Sequence, residues 1–189
     1  MKLLAALATA SALAAGQAQA GPLFDSFRAN CVATQAKLEA VQAQAKTGGW
    51  MPMPQALLDQ ASRQFKPKAA EGWIKTDPQA MNMLLWAKAE VPGAAQIGDM
   101  RFCAVASMPP DGAAASEMKA WAAVPERKDF GGSDATAYVF VADPAGHKPL
   151  PEKVSDRAAK DFFANPLATL AMTQTSPQMT MLGVFMPDK

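Results

Sequence analysis

Two cysteines, Cys31 and Cys103, set the tightest restraint on how this chain can fold. Their state depends on the compartment, and the N-terminus bears on that. Residues 1–20 read MKLLAALATASALAAGQAQA. Lys2 supplies a positive charge, Leu3 to Ala15 is a run of apolar and small residues, and Ala18-Gln19-Ala20 is an A-x-A cleavage signal. This is the layout of a secretory signal peptide, too short for a stable membrane span. Cleavage after Ala20 starts the mature chain at Gly21 and makes the protein periplasmic or secreted. The first cysteine lies well beyond the apolar run and no twin-Arg precedes it, so neither a lipid anchor nor export in the folded state is indicated. In an oxidising compartment an even cysteine count favours a disulfide. Two thiols allow one intramolecular pairing, which closes a loop of about 73 residues and contributes on the order of 4 kcal/mol in the chain-entropy picture. The competing reading leaves one thiol free as a nucleophile, with His147, the one histidine, as its base.

Composition narrows the classes further. Half of the 189 residues are hydrophobic and 19% are charged, values of a globular chain and not of a disordered one. The formal charge is +1, and Lys2 leaves with the leader, so the mature chain is formally neutral. That balance argues against nucleic acid, membrane surfaces and acidic polymers as partners. No later segment is long and apolar enough to span a bilayer. One histidine and two cysteines are too few for a Cys/His zinc site, and no GxGxxG, GxxxxGK[ST] or GxSxG run occurs.

Periodicity predicts the elements. Phe27, Cys31, Thr34, Leu38, Val41 and Ala45 recur at helical spacing, so a helix is expected from about Asp25 to Lys46, ended by Gly48-Gly49. Trp50 to Pro54 reads as a loop whose two prolines cannot join a ladder. A short helix follows over residues 55–64, and Glu71-Gly72-Trp73-Ile74 leads toward the sheet. Residues 80–91 and 97–108 alternate as strands about a Pro92-Gly93 turn, an antiparallel hairpin with Cys103 in mid-strand opposite in direction to Phe102. A helix at 113–124, a strand at 135–142, a polar loop at 143–151 holding His147, a helix at 154–164 and strands at 167–173 and 179–186 complete the order. The expectation is a single α+β domain over residues 21–189. It has an αββαβββ-like order and an about five-stranded, largely antiparallel sheet with helices packed on one face. That order is similar to profilin-like and roadblock-like domains, an analogy that fixes no function.

Phe27-x-x-x-Cys31-Val-Ala-Thr34, Gly49-Trp50 at the helix end, Gly72-Trp73 and a single Cys103 in a strand together resemble a group of small exported proteobacterial proteins and lipoproteins without assigned activity. The resemblance covers the helix, the loop after it and the hairpin. It implies an envelope location and a Cys–Cys bridge, and it carries no catalytic residues. The lipobox cysteine of the lipoprotein members is missing here.

Methionine is the compositional oddity, with three M-x-M steps at Met51/Met53, Met81/Met83 and Met179/Met181. Alternate residues of a strand share a face, so each step presents two thioethers, soft ligands for copper(I) or silver(I). The 81/83 and 179/181 pairs read as core filler. The 51/53 pair lies in a loop beside Trp50, and with His147 it forms a candidate soft-metal set. Trp50 and Trp73, each following a glycine, form a candidate aromatic patch for an envelope protein, a glycan or a small ligand. The carboxylates are scattered. Asp99-Met-Arg101 reads as a cross-strand ion pair. A non-enzymatic binding module of the cell envelope is the expected class, a copper or silver binder the alternative, and a hydrolase the weakest reading.

Overall fold

A computed structural model describes residues 21–63, 67–90, 97–131, 134–143 and 145–189. Residues 1–20, where a leader is expected, and the expected Pro92-Gly93 turn lie outside the described residues. The hairpin expected from alternation forms. β3 (Met81–Glu90) pairs antiparallel with β4 (Asp99–Met108), Leu84 opposite Val105 and Trp86 opposite Cys103. These two belong to a larger sheet. β1 (Met51–Pro52), β2 (Ala69–Thr76), β5 (Ala135–Val141), β6 (Lys148–Pro149), β7 (Ala168–Thr175) and β8 (Thr180–Pro187) complete it, in the order β1-β2-β3-β4-β8-β7-β5-β6. Every neighbouring pair is antiparallel. The chain builds one half of the sheet, then the other, and β4 meets β8 at the centre.

The expectation of about five strands with helices on one face is therefore corrected to eight strands, and the element-order analogy goes with it. Helices pack on both faces. Over one face lie α1 (Pro22–Phe27), a π-helical turn (Arg28–Val32), α2 (Leu38–Thr47) and α4 (Ala114–Ala122). Over the other lie α3 (Gln55–Ser62) and α5 (Asp156–Phe163). The physical sign is in the central strands. A sheet covered on one side alternates buried and wet residues, whereas every residue of β8 and nearly every residue of β4 is buried. Strand β2 carries Glu71, Gly72 and Lys75, which blur its apolar pattern. β1 and β6 span two residues each and contain Pro52 and Pro149. Proline, which lacks an N–H, is tolerated at an edge and blunts it against further pairing.

The helix expected at 25–46 is split. Gln35 and Ala36 both adopt left-handed backbone, with φ of 53° and 51°. The buried stripe survives the break, because Phe27, Cys31, Val41 and Ala45 all face the core. Cys31 and Cys103 form a disulfide with a Cα–Cα distance of 5.4 Å, joining the π-helical turn to mid-β4. The nucleophilic-cysteine reading ends there, since neither thiol is free. On the same face Trp121 meets Phe27 and Phe140 edge-on, with ring centres 5.5 Å apart in each case. On the opposite face Phe102 and Phe185 pack at 4.6 Å. Apolar burial of this kind stabilises by about 1.5–3 kcal/mol per large side chain.

Charged groups close the margins. Asp99 pairs with Lys68 and Lys88, so the ion pair expected at the strand start forms with these two lysines. The Lys68 ammonium holds the Asp99 carboxyl below its usual range. Arg101 instead donates to the Pro187 carbonyl at 2.8 Å. Buried Arg127 forks onto both oxygens of Asp129 and donates to the Leu150 and Pro151 carbonyls.

Candidate functional site: a methionine-walled groove

Pairing register explains a large apolar groove in the sheet. On the α3–α5 face, Met83 lies opposite Ala106, and Ala106 lies opposite Met181. One step along, Leu85, Ala104, Gly183 and Met172 form the next row. Small residues therefore floor the middle of the sheet, while long ones stand on either side, two strands apart in the first row and three in the second. Neighbouring strands lie about 4.8 Å apart, so the Met83 and Met181 backbones stand roughly 10 Å apart across Ala106. Gly183 lets the Phe102 ring lie against the sheet beside this floor, because a Cβ there would come within 2.9 Å of it. Gly72 likewise lets Met53 and Leu58 pack close on β2, where a Cβ would meet the Met53 sulfur at 3.0 Å and Leu58 at 3.2 Å.

The resulting groove has a volume of about 580 Å³. Its walls carry five thioethers, those of Met53, Met83, Met108, Met179 and Met181. Leu57 and Ala61 of α3 close one flank, and Gln60, Arg63 and Gln174 supply its polar side chains. Methionine suits such a wall, since its unbranched thioether adapts to ligand shape and is polarisable.

The residues singled out from sequence divide differently from expectation. Met51, in the short edge strand β1, is 53% exposed, and Met53, just beyond that strand, is 8% exposed. Met51 sits at the β1 edge of the sheet, and His147 sits beside β6 at the far edge. The set Met51, Met53 and His147 is not brought together. His147 is not a solvated loop residue either. Its ring stacks on Phe140 at 4.0 Å, meets Trp121 edge-on, and its Nδ1 lies 2.9 Å from the Ala122 carbonyl oxygen. Trp73 is 9% exposed and belongs to the core beneath α2, and half-buried Trp50 packs against that same core. The pair forms no exposed aromatic patch. Trp50 instead borders a small polar cleft with Asn30, Gln44, Lys75, Asp77 and Asn82.

The groove itself draws on all three M-x-M steps, through Met53, Met83 and the Met179/Met181 pair. Reading each step as a local pair hid this. The signal was the alternation of methionine with alanine on adjacent strands, which needs the cross-strand register to be read. Among the described residues no group of three or more His, Cys, Asp or Glu is placed to hold a metal ion. Scanned against family models, curated proteins and solved structures, the chain finds no match, so the groove is read from its own chemistry.

Proposed function

We propose that this protein is a non-enzymatic binding module of the cell envelope, and that its ligand seats in the methionine-walled groove. The carrying observation is the groove: about 580 Å³, apolar along its floor and walls, with a few polar side chains. Small-molecule sites have this size and this division of labour. The ligand it fits is a small, mainly apolar molecule with one polar end. The envelope location rests on the leader pattern and on the Cys31–Cys103 bond, a linkage that persists in oxidising compartments. Titration of the Gly21–Lys189 chain with N-phenyl-1-naphthylamine tests the reading. Saturable fluorescence enhancement is expected, and it should be lost when Ala106→Phe fills the floor or Ala61→Phe closes the α3 flank. Absence of saturation in the unmodified chain ends the proposal.

The donor set favours a second reading. Thioethers are soft and select copper(I) or silver(I). In this groove the ligands would be Met83 and Met181, facing across Ala106, with Met53, Met108 or Met179 beside them. Calorimetric titration with silver(I) separates the readings. Met83→Leu with Met181→Leu conserves volume and keeps the apolar cavity. Silver affinity at least tenfold lower in that variant supports a metal site, and equal affinity removes it.

A further inference from the structure

Gly21 is the first residue after the A-x-A signal, and its backbone N–H donates to Glu117 Oε1 in the first turn of α4. Two carboxylates crowd this residue. A Cβ on Gly21 would lie 3.1 Å from Glu117 Oε2 and 3.3 Å from Asp111 Oδ2. Glu117 Oε2 is buried and has no hydrogen-bond partner. Asp111 is partly committed, since its Oδ1 accepts from the Ala113 N–H. In an uncut chain, then, an amide with a single hydrogen faces two carboxylates, and one buried carboxylate oxygen is left unpaired. An unpaired buried charge-bearing oxygen is costly, and charged hydrogen bonds are about twice as strong as neutral ones.

We infer that the position is built for a free α-ammonium, and that processing of the leader completes a clamp between the new N-terminus and α4. Hydrolysis of the Ala20–Gly21 amide by water yields the Ala20 carboxylate and the Gly21 amine, which takes up a proton at neutral pH. The ammonium then has three hydrogens for Glu117 Oε1, the orphaned Glu117 Oε2 and Asp111 Oδ2. Its charge also offsets the two carboxylates. Gly21 caps α1, its carbonyl accepting from the Asp25 N–H at 3.0 Å. α1 in turn packs on β4, β8 and α4, so the clamp fastens the opening helix to the sheet only after export. Glycine fits the site because any side chain would push the carboxylates back.

This inference rests on the export reading, and two separate measurements tell their failures apart. Intact mass of the protein recovered from the periplasm tests processing, with a chain beginning at Gly21 expected. The clamp is tested on purified chains released from a cleavable tag, one starting at Gly21 and one retaining Ala18–Ala20, each with native Glu117 and with Glu117→Gln. The Gly21 start is expected to raise the folded-to-unfolded ratio on the order of tenfold with Glu117 present, and to lose most of that advantage in Glu117→Gln. An advantage of equal size in both backgrounds, or none in either, overturns the clamp. A different N-terminal mass overturns the processing site and leaves the cycle to decide the clamp.

Discussion

Trp86 in β3 donates its indole N–H to the Ala36 carbonyl at 2.8 Å, and both residues are buried. Ala36 is the second of two successive left-handed residues at the break between the π-helical turn and α2. The sheet thus holds in place the turn that lets two helical segments lie across it. Trp86→Phe retains an aromatic ring but strands a buried carbonyl. The expected loss is about 2 kcal/mol, combining the unsatisfied acceptor and the smaller buried surface. Urea denaturation of the two chains measures it, and a shift under about 0.5 kcal/mol would mean that water replaces the indole.

The Cys31–Cys103 bond fastens the same region from the other side. The two residues are 72 apart in sequence and both sulfurs are fully buried. Replacing both cysteines by alanine is expected to cost about 2–5 kcal/mol. The comparison is made by thermal unfolding, and an unchanged midpoint would show that the unfolded chain is already compact without the bond.

The path from residues to fold was readable where local pattern and tertiary packing agree. The alternation of Met100, Phe102, Ala104 and Ala106 against Arg101, Cys103 and Val105 placed β4 and the face of its cysteine correctly. The opening helical stripe placed Phe27, Cys31, Val41 and Ala45 inward, yet said nothing of the break at Gln35 and Ala36, which a distant tryptophan fixes. The edge strands at Pro52 and Pro149 exist only through pairing with Trp73 and Phe140, so two residues of sequence carried no sign of them. The groove was hidden for a related reason. Met83 and Met181 are far apart in sequence and become neighbours across Ala106 only once β4 lies between β3 and β8.

Ala123 closes α4 in the left-handed region, with φ of 50°, and its N–H donates to the Lys119 carbonyl. It is exposed, so its methyl contributes little packing. The left-handed conformation costs an L-residue about 1–2 kcal/mol, and glycine escapes most of that cost while remaining freer in the unfolded chain. Ala123→Gly is therefore expected to stabilise by about 0.5–1 kcal/mol, as at other helix ends of this geometry. A fall in the denaturation midpoint would show that unfolded-chain entropy outweighs the relieved strain.

Tyr138 is the one tyrosine of the chain, so tyrosinate absorbance reports on it alone. It lies in β5, buried on the α1–α4 face. Burial raises its pKa above the usual value near 10, and the neighbouring Glu126 charge adds to the rise. The sign follows from which state binds the proton more tightly. The folded state does, so Tyr138 contributes its stabilisation fully below the unfolded pKa of about 10, and that contribution is lost as pH rises through the higher folded value. Tyrosinate should therefore appear later than in a free tyrosine, together with loss of near-ultraviolet circular dichroism. Tyr138→Phe should remove this component of the alkaline transition and leave the one from Lys68 and Lys88, whose folded pKa values are also raised by their carboxylate partners. Ionisation at the ordinary pH with the fold intact would show that the phenol reaches water.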